Sequence, residues 1–417
     1  MNSPDLIPAL PRLLSFVGGL ALLLSPPAAA QETYSLDELL EIGREQNPSV
    51  LAFRAGAEAA EADRRDAGRW PNPEVGFDVG RGDPFGADES RTVRGFTLRQ
   101  GLENPWVRHH RLRALDERAG AAAEEVRERV LEVEYEIRLH FYRVLYLREL
   151  LRLARLNEEA MAEILELMET RARVGEVKEL EAIRLRVEHM RARNEVEAAL
   201  MELDQFRRHL NTFLGNVLPT DYVLEGELSY DPEEPSLERL TSRVLSDHPA
   251  LVEAVRMREA ARAEWQAARG AWFPSPVISG SSRRVLDGEI RQVGVGIQVP
   301  LWNQSRNAAR REEEEYRRAA HREEARRMEL EAQLMIHHNR LRLARQTLQL
   351  FEEGLLAEAE TSMEIADTSY RQGEISLVEY LDARRTHQSI QIERQQALFD
   401  WNRERAALEQ AAGGISP

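Results

Sequence analysis

Cysteine is absent from the chain. That excludes disulfides, thiolate metal sites and cysteine nucleophiles, and it leaves no acylated N-terminal cysteine, so no lipid anchor is expected there. Aromatic residues are scarce, 6% against 31% charged. With Glu, Arg, Ala and Leu dominant, this is the balance of long helices or coiled coil, not of several compact cores. Excess positive charge is also lacking. A formal net charge of −16 disfavours nucleic acid and anionic membrane surfaces, both of which ask for clustered Lys and Arg. Beyond residue 30 no run approaches the ~18 apolar residues of a spanning helix. A mature chain that enters a membrane must then do so as a β-barrel, the other structure that satisfies every backbone polar group in lipid. No P-loop, dinucleotide fingerprint, GxSxG elbow or HExxH pair occurs, so neither an enzyme nor a cofactor is expected. The histidine pairs His109-His110 and His337-His338 are poor chelates, because neighbours on a helix do not share a face; no metal site is expected.

What is present begins with an apolar stretch over residues 13–25, LLSFVGGLALLLS, followed by PPAAA. A short apolar core with a small-residue cleavage site reads as a secretory signal peptide over 1–30, cut after Ala30.

The rest of the chain reads twice. Ser35-Leu36 and Leu39 recur as Ser236-Leu237 and Leu240, and Asn47-Pro48 recurs as His248-Pro249. Trp70-Pro71-Asn72-Pro73 recurs as Phe273-Pro274-Ser275-Pro276. Gln100-Gly101-Leu102 recurs as Val299-Pro300-Leu301, and Val174-Gly175-Glu176 as Gln372-Gly373-Glu374. A period of about 200 residues is too long for a solenoid unit. It reads as a duplicated half, 31–230 and 231–417, with pseudo-twofold organisation.

Each half has one plan. A capped helix (Ser35 as N-cap with Glu38 at N3 in the first half) runs over about 36–68 and again over about 237–270. Proline then stops it, since proline removes a donor and restricts the residue before it. Two strands follow, about 74–82 and 91–100 in the first half, about 276–284 and 290–299 in the second. Long helical patterns cover about 107–174 and 176–214, then about 305–372 and 374–411. Val130, Ile137, Val144 and Leu151 recur every seven residues, with Val133 and Leu147 in the companion seam, so each long helix presents one apolar stripe to a partner. The paired helices make matched rods, and Gly175 and Gly373 mark hairpin tips at one end.

The strands sit at the other end. Val75, Phe77 and Val79 alternate with Gly76, Asp78 and Gly80; Val293, Val295 and Ile297 alternate with Gly294, Gly296 and Gln298. Period two gives one apolar and one polar face. Strands of about ten residues match a tilted bilayer crossing. Trp70, Trp106, Trp272 and Trp302 lie at the helix–strand junctions, where aromatics collect at membrane–water boundaries. Four strands cannot close a barrel, for which about eight is the minimum, so several chains must contribute; three would give twelve strands.

With these features the chain resembles the TolC family of outer-membrane efflux proteins, the outer membrane factors, from about Ser35 to Gly413. The duplicated half, the NP/HP helix, the WPNP/FPSP strand entry, the VPLWNQ stretch and the Gly-Glu tips carry the resemblance. It implies a mainly α protein with a small β part: a homotrimer whose twelve-stranded barrel in the outer membrane continues into an α-barrel through the periplasm of a Gram-negative-type bacterium. The implied role is a passive exit duct, joined to an inner-membrane pump by a periplasmic adaptor (membrane fusion) protein. The adaptor would dock at Gly175, Glu176, Gly373 and Glu374. A periplasmic gate would fall at Glu379 and Asp382, with Glu181 as the first-half counterpart, a ring of like charge favouring cations. Where the family's type member braces its closed aperture with an arginine, this chain has Ile375. The VPLWNQ style leans toward the heavy-metal efflux branch. The competing expectation is a soluble periplasmic coiled-coil scaffold or adaptor without a pore.

Overall fold

The computed structural model describes residues 32–82, 91–231, 236–285, 288–298 and 306–414. The expected signal peptide with its expected cleavage after Ala30, Trp302 and the VPLWNQ stretch over 299–304 lie outside the described residues.

The first half runs β1 (Thr33–Tyr34), α1 (Leu36–Gln46), α2 (Pro48–Ala67), β2 (Glu74–Gly82), β3 (Arg91–Gly101), α3 (Pro105–Arg173) and α4 (Glu179–Phe213). The second runs β4 (Val223–Leu224), α5 (Leu237–Asp247), α6 (Pro249–Gly270), β5 (Ser275–Val285), β6 (Gly288–Gln298), α7 (Arg306–Leu350), α8 (Leu356–Gln372) and α9 (Leu377–Ala411). A wide turn, Phe351–Leu355, separates α7 from α8. Short β1 pairs in parallel with β4, Thr33 opposite Val223, and so fastens the start of the chain to the link between halves.

The helices begin where the sequence supplies caps. Ser35 and Glu38 form a reciprocal capping box, the Glu38 carboxylate accepting from Ser35 N at 2.7 Å. Such a cap contributes about 1 kcal/mol. Single helices were expected over 36–68 and 237–270, and the structure corrects this: each is two. Pro48 and Pro249 push the residue before them out of the α region. Asn47 (ψ 124°) and His248 (ψ 122°) are accordingly extended. Each closes one helix and caps the next. The helix expected over 305–372 is likewise broken, at the wide turn. The second arms of the hairpins start later than the glycines suggest, at Glu179 and Leu377.

The broken helices make rods by stacking. Asn47 Nδ2 donates to the carbonyl of Phe213 at 2.8 Å, so α4 ends against the start of α2. Both lie along α3, whose 69 residues span about 100 Å at 1.5 Å per residue. In the second half α6 and α9 lie along α7 and α8 in the same way, but each also packs on α3. Ile137, Val144, Leu147 and Leu151 are all buried, as the sevenfold spacing requires. Cores gather beside Leu39, Ile137 and Leu210 in one half and beside Leu334, Leu341 and Trp401 in the other. A third gathers at the tips around Met168, Leu185, Tyr370 and Tyr380.

Candidate functional site

The four longer strands form one antiparallel sheet in the order β2-β3-β5-β6. The halves meet at its centre, where Phe96 of β3 faces Ser282 of β5. Register decides what each face carries, because directly opposed residues point the same way. Val75 opposes Leu98, and Phe77 opposes Phe96. Leu98 opposes Gly280, which opposes Val293; Ile278 opposes Val295. One face therefore carries Val75, Phe77, Leu98, Phe96, Ile278, Val293 and Val295 without a charged interruption between them. Among the described residues nothing covers it: Phe77 is 70% exposed, Val293 88% and Val295 78%. The opposite face carries Asp78, Thr97, Ser279, Ser281, Arg283, Gln292 and several glycines. Gly95 on that face is hemmed by Asp78 and Arg283, whose side chains would each lie 3.5 Å from an added Cβ. An apolar row against a polar, glycine-rich row over strands of 9 to 11 residues is what a lipid-facing wall with a wet inner side requires. The edges of β2 and β6 have no partner strand among the described residues.

Three of the four tryptophans lie at the sheet–helix junction, each about half exposed. Arg108 sits over the Trp70 ring at 4.5 Å. Trp106 donates from Nε1 to the carbonyl of Gln266 at 3.1 Å and covers Gly270, where a Cβ would fall 2.2 Å from its ring. The Trp272 and Phe273 rings lie tilted against each other at 4.1 Å in the turn after α6. Trp70 and Trp106 are thus held by helical neighbours and Trp272 by the adjoining turn, while about half the surface of each stays open. Close by, His110 is buried without a hydrogen-bond partner for either ring nitrogen.

At the other end the two tips are built alike. Gly175 (φ +82°) and Gly373 (φ +80°) adopt the left-handed conformation that glycine tolerates. In the first tip Glu176 N donates to Arg171 O at 3.0 Å and Gly175 N to Ala172 O at 3.1 Å; in the second Glu374 N donates to Ser369 O at 2.8 Å and Gly373 N to Tyr370 O at 3.1 Å. This double bond closes a helix and satisfies its orphan carbonyls. Both glycines and both glutamates are exposed.

The acidic residues have different surroundings. The Glu379 carboxylate accepts from Ser376 N and Ser376 Oγ, both at 2.8 Å, in a capping box that starts α9. Those bonds hold its pKa below the usual carboxylate range. Asp382, one turn on, is exposed, and Glu181 is half-buried on α4. The three do not form one cluster with mutual contacts; Glu181 is tied to the tip core, where burial first and its charge next push the Tyr370 phenol up to about 12.

The residues that join the two hairpins were not singled out from sequence. Tyr370 stacks on Tyr380 at 4.8 Å and donates to Met168 Sδ at 3.1 Å. Arg371 reaches Glu163 at 3.1 Å, Arg384 donates to Asn157 Oδ1 at 3.1 Å, and Arg385 reaches Glu188 at 2.8 Å. Ile375 packs against this core. Two tyrosines ten residues apart, flanking the tip glycine, were the available signal. Among the described residues no group of three His, Asp or Glu is placed to hold a metal ion, and no helix is long and apolar enough to cross a membrane.

Residues 39–216 and 240–414 match the family model described as outer membrane efflux protein. The chain is 23% identical over 374 residues to the cobalt-zinc-cadmium resistance protein CzcC of Cupriavidus metallidurans, spanning 86% of this chain and 85% of that one. It is 26% identical over 258 residues to the pyoverdine export outer membrane protein OpmQ of Pseudomonas aeruginosa, spanning 59% of this chain and 54% of that one. Among solved structures, the outer-membrane channel OprN superposes with a TM-score of 0.78 at 19% identity, over 91% of this chain and 90% of that one.

Proposed function

The chain belongs to the outer membrane efflux protein family, and from that premise we propose that it is the outer-membrane exit duct of a tripartite efflux or export system. It is a passive conduit, with most of its length in the periplasm, served by a periplasmic adaptor and an inner-membrane pump. The observation that carries this reading is the uncovered apolar face of a sheet with two open edges. A soluble scaffold would leave Phe77, Val293 and Val295 in water, a large exposed patch that water-borne proteins avoid.

The duplication supports a ring. α6 and α9 each pack on two long helices, their own and α3. Their first-half counterparts α2 and α4 pack chiefly on α3, with α4 reaching α9 near the tip through Glu188 and Arg385, and turn Leu51, Phe53, Ile183, Val187 and Met190 outward. On the far side of the chain α7 turns Met328, Met335, Ile336 and Leu343 outward. If each half is treated alike, α2 and α4 of one copy lie on α7 and α8 of the next, and β2 pairs with the next copy's β6. That contact is head-to-tail, and it closes into a ring of three when each copy is turned by a third of a circle. Three copies supply twelve strands, enough to wall a pore.

The remaining roles follow. Outer-membrane lipid meets the apolar face, with Trp70, Trp106 and Trp272 at its boundary. The adaptor docks at the tips, on Gly175, Glu176, Gly373 and Glu374. Three copies each of Glu379 and Asp382 ring the periplasmic aperture, with Glu181 behind them, and favour cations. Since Ile375 stands in the place of the bracing arginine, Arg371 and Arg384 carry the closed-state links instead. The named relatives are a cobalt-zinc-cadmium resistance protein and a pyoverdine export protein, so we assign choice of cargo to the pump.

The test is the purified protein from outer-membrane fractions. We expect heat-modifiable trimers and single-channel conductance in planar bilayers, with a cation preference that Glu379→Ala combined with Asp382→Ala reduces. Recovery as a monomer soluble without detergent would sink the duct. A conducting double variant with unchanged selectivity would remove the acidic pair from the gate.

A further inference from the structure

The two long helices differ at one place. In α3 the inward positions Leu147, Ala154, Met161 and Met168 follow at intervals of seven, and the helix runs through them unbroken. In α7 the inward positions Leu334, Leu341 and Leu348 keep the same interval, as do Ala344 and Phe351. Beyond Phe351 the pattern slips. Sevens counted on from Phe351 and Leu348 would place Glu358 and Leu355 inward, yet both are exposed. The buried residues are instead Ala359, Ala366 and Tyr370. The stripe resumes one residue late.

The wide turn Phe351–Leu355 absorbs that residue. Gly354 within it has φ +122° and ψ −1°, outside any helix, and a Cβ there would meet nothing within 4 Å. Such inserts let a helix keep one face inward across a change of phase, at the cost of local backbone bonds. At the same distance above the first tip the chain has Leu156, inside unbroken α3. Below the turn, α8 packs on α9, and the polar contacts tying it to the first half gather at its last turn: Tyr370 to Met168, Arg371 to Glu163, and Arg171 to the Arg371 carbonyl at 3.2 Å. So α8 is a 17-residue arm that lies on α9 and carries its named polar contacts to the first half at its last turn.

We propose that the Phe351–Leu355 turn is the hinge of the periplasmic aperture, with Gly354 as pivot. When the contacts at Tyr370 and Arg371 part, α8 turns about Gly354 and carries with it the second tip and the start of α9 packed on it, while α7 above and the whole of α3 stay in place. Hinges are a few residues able to take up a large change in backbone angle, and a glycine with free space around it meets that need. The hinge rests on the duct reading, because it gives the aperture its moving part.

Deletion of Gly354 tests it directly. Removing one residue restores the interval of seven from Phe351 to Ala359, so α7 and α8 join as one helix with the stripe still inward. The chain has no native cysteine, so nitroxides at Gln346→Cys above the hinge and Glu364→Cys below it, both exposed, report distances between copies by pulsed electron resonance. In the otherwise native protein the distribution at 364 should be about twofold wider than at 346. In the deletion variant the two should match, while conductance persists without the opening transitions. Equal widths in the native background, or an unchanged width at 364 after deletion, would overturn the hinge. A native protein with no conductance would take the duct reading and the hinge down together. Should the deletion variant fail to assemble, hydrogen exchange on the native protein decides. Amides of 351–356 should exchange about tenfold or more faster than those of 154–160 in α3; equal protection would refute the hinge.

Discussion

The first and second halves use different groups for the same task at the break before α2 and α6. Asn47 caps α2 with its amide oxygen, accepting from Ser49 N at 2.9 Å, and donates its Nδ2 to Phe213 O. His248 does the same with a ring: Nδ1 accepts from Ala250 N at 3.2 Å, and the ring bonds the backbone of Gln410. Both residues are almost fully buried. One is indifferent to pH and the other is not. Burial, and then nearby Arg326, lower the His248 pKa to about 4. The cavity beside it holds Glu128, Glu132, Tyr135, Arg326 and His337. The comparison teaches that duplication preserved the geometry of the plan and left its chemistry free to drift, with the second half carrying the titratable cap as well as the broken long helix.

The largest way to break the comparison is to give the first half the second half's phase slip. Insertion of one alanine after Leu156 moves Met161, Ile164 and Met168 off the inward face without a glycine turn to absorb it. Losing several buried side chains of that kind costs about 2–5 kcal/mol each. The variant should lose the proposed trimer and its thermal midpoint should fall, read by gel, scattering and calorimetry, while the same insertion in the Phe351–Leu355 turn should be tolerated.

Exchange of the caps comes next. The folded pKa of His248 lies below its unfolded value of 6.5, so the neutral ring is the stabilising form. That stability is fully present above about 6.5 and drains away as pH falls toward about 4, up to roughly 3 kcal/mol per chain. His248→Asn should flatten the fall in thermal midpoint over this window. His140, also lowered to about 4 by burial and by His209, would leave a residual slope. A slope untouched by His248→Asn would show that the cap is not the acid-sensitive group.

The smallest expected effect concerns the first helix of each half. Ser35 makes a capping box, whereas Ser236 makes no side-chain cap bond. Ser35→Ala should cost about 1 kcal/mol and Ser236→Ala much less; equal shifts in midpoint would erase this difference between the halves.

Part of this architecture is legible in the amino-acid sequence alone. The strand faces follow from the alternation of Val75, Phe77 and Val79, and the tips from Gly175 and Gly373, because period-two patterns and left-handed glycines are local. The breaks at Asn47 and His248 are local too, written in the following proline, but the apolar pattern running across them masks it. The slip after Phe351 can be counted from the spacing of apolar residues. The β3–β5 pairing cannot, since alternation does not name a partner across the sheet. Nor can the Tyr370–Met168 and Arg371–Glu163 links, which depend on how two hairpins lie together. The Glu379 capping bonds are visible in Ser376-x-x-Glu379, a local signature that competes with an aperture role for the same carboxylate.

The central seam of the sheet has a consequence for how the protein is made. Phe96 and Ser282 are separated in the chain by all of α3, α4, α5 and α6, so the first hairpin is made long before its neighbour. Until the second hairpin is made, the first is a lone two-stranded ribbon, marginally stable by itself in water. The four-stranded sheet therefore cannot be completed until most of the polypeptide has been made.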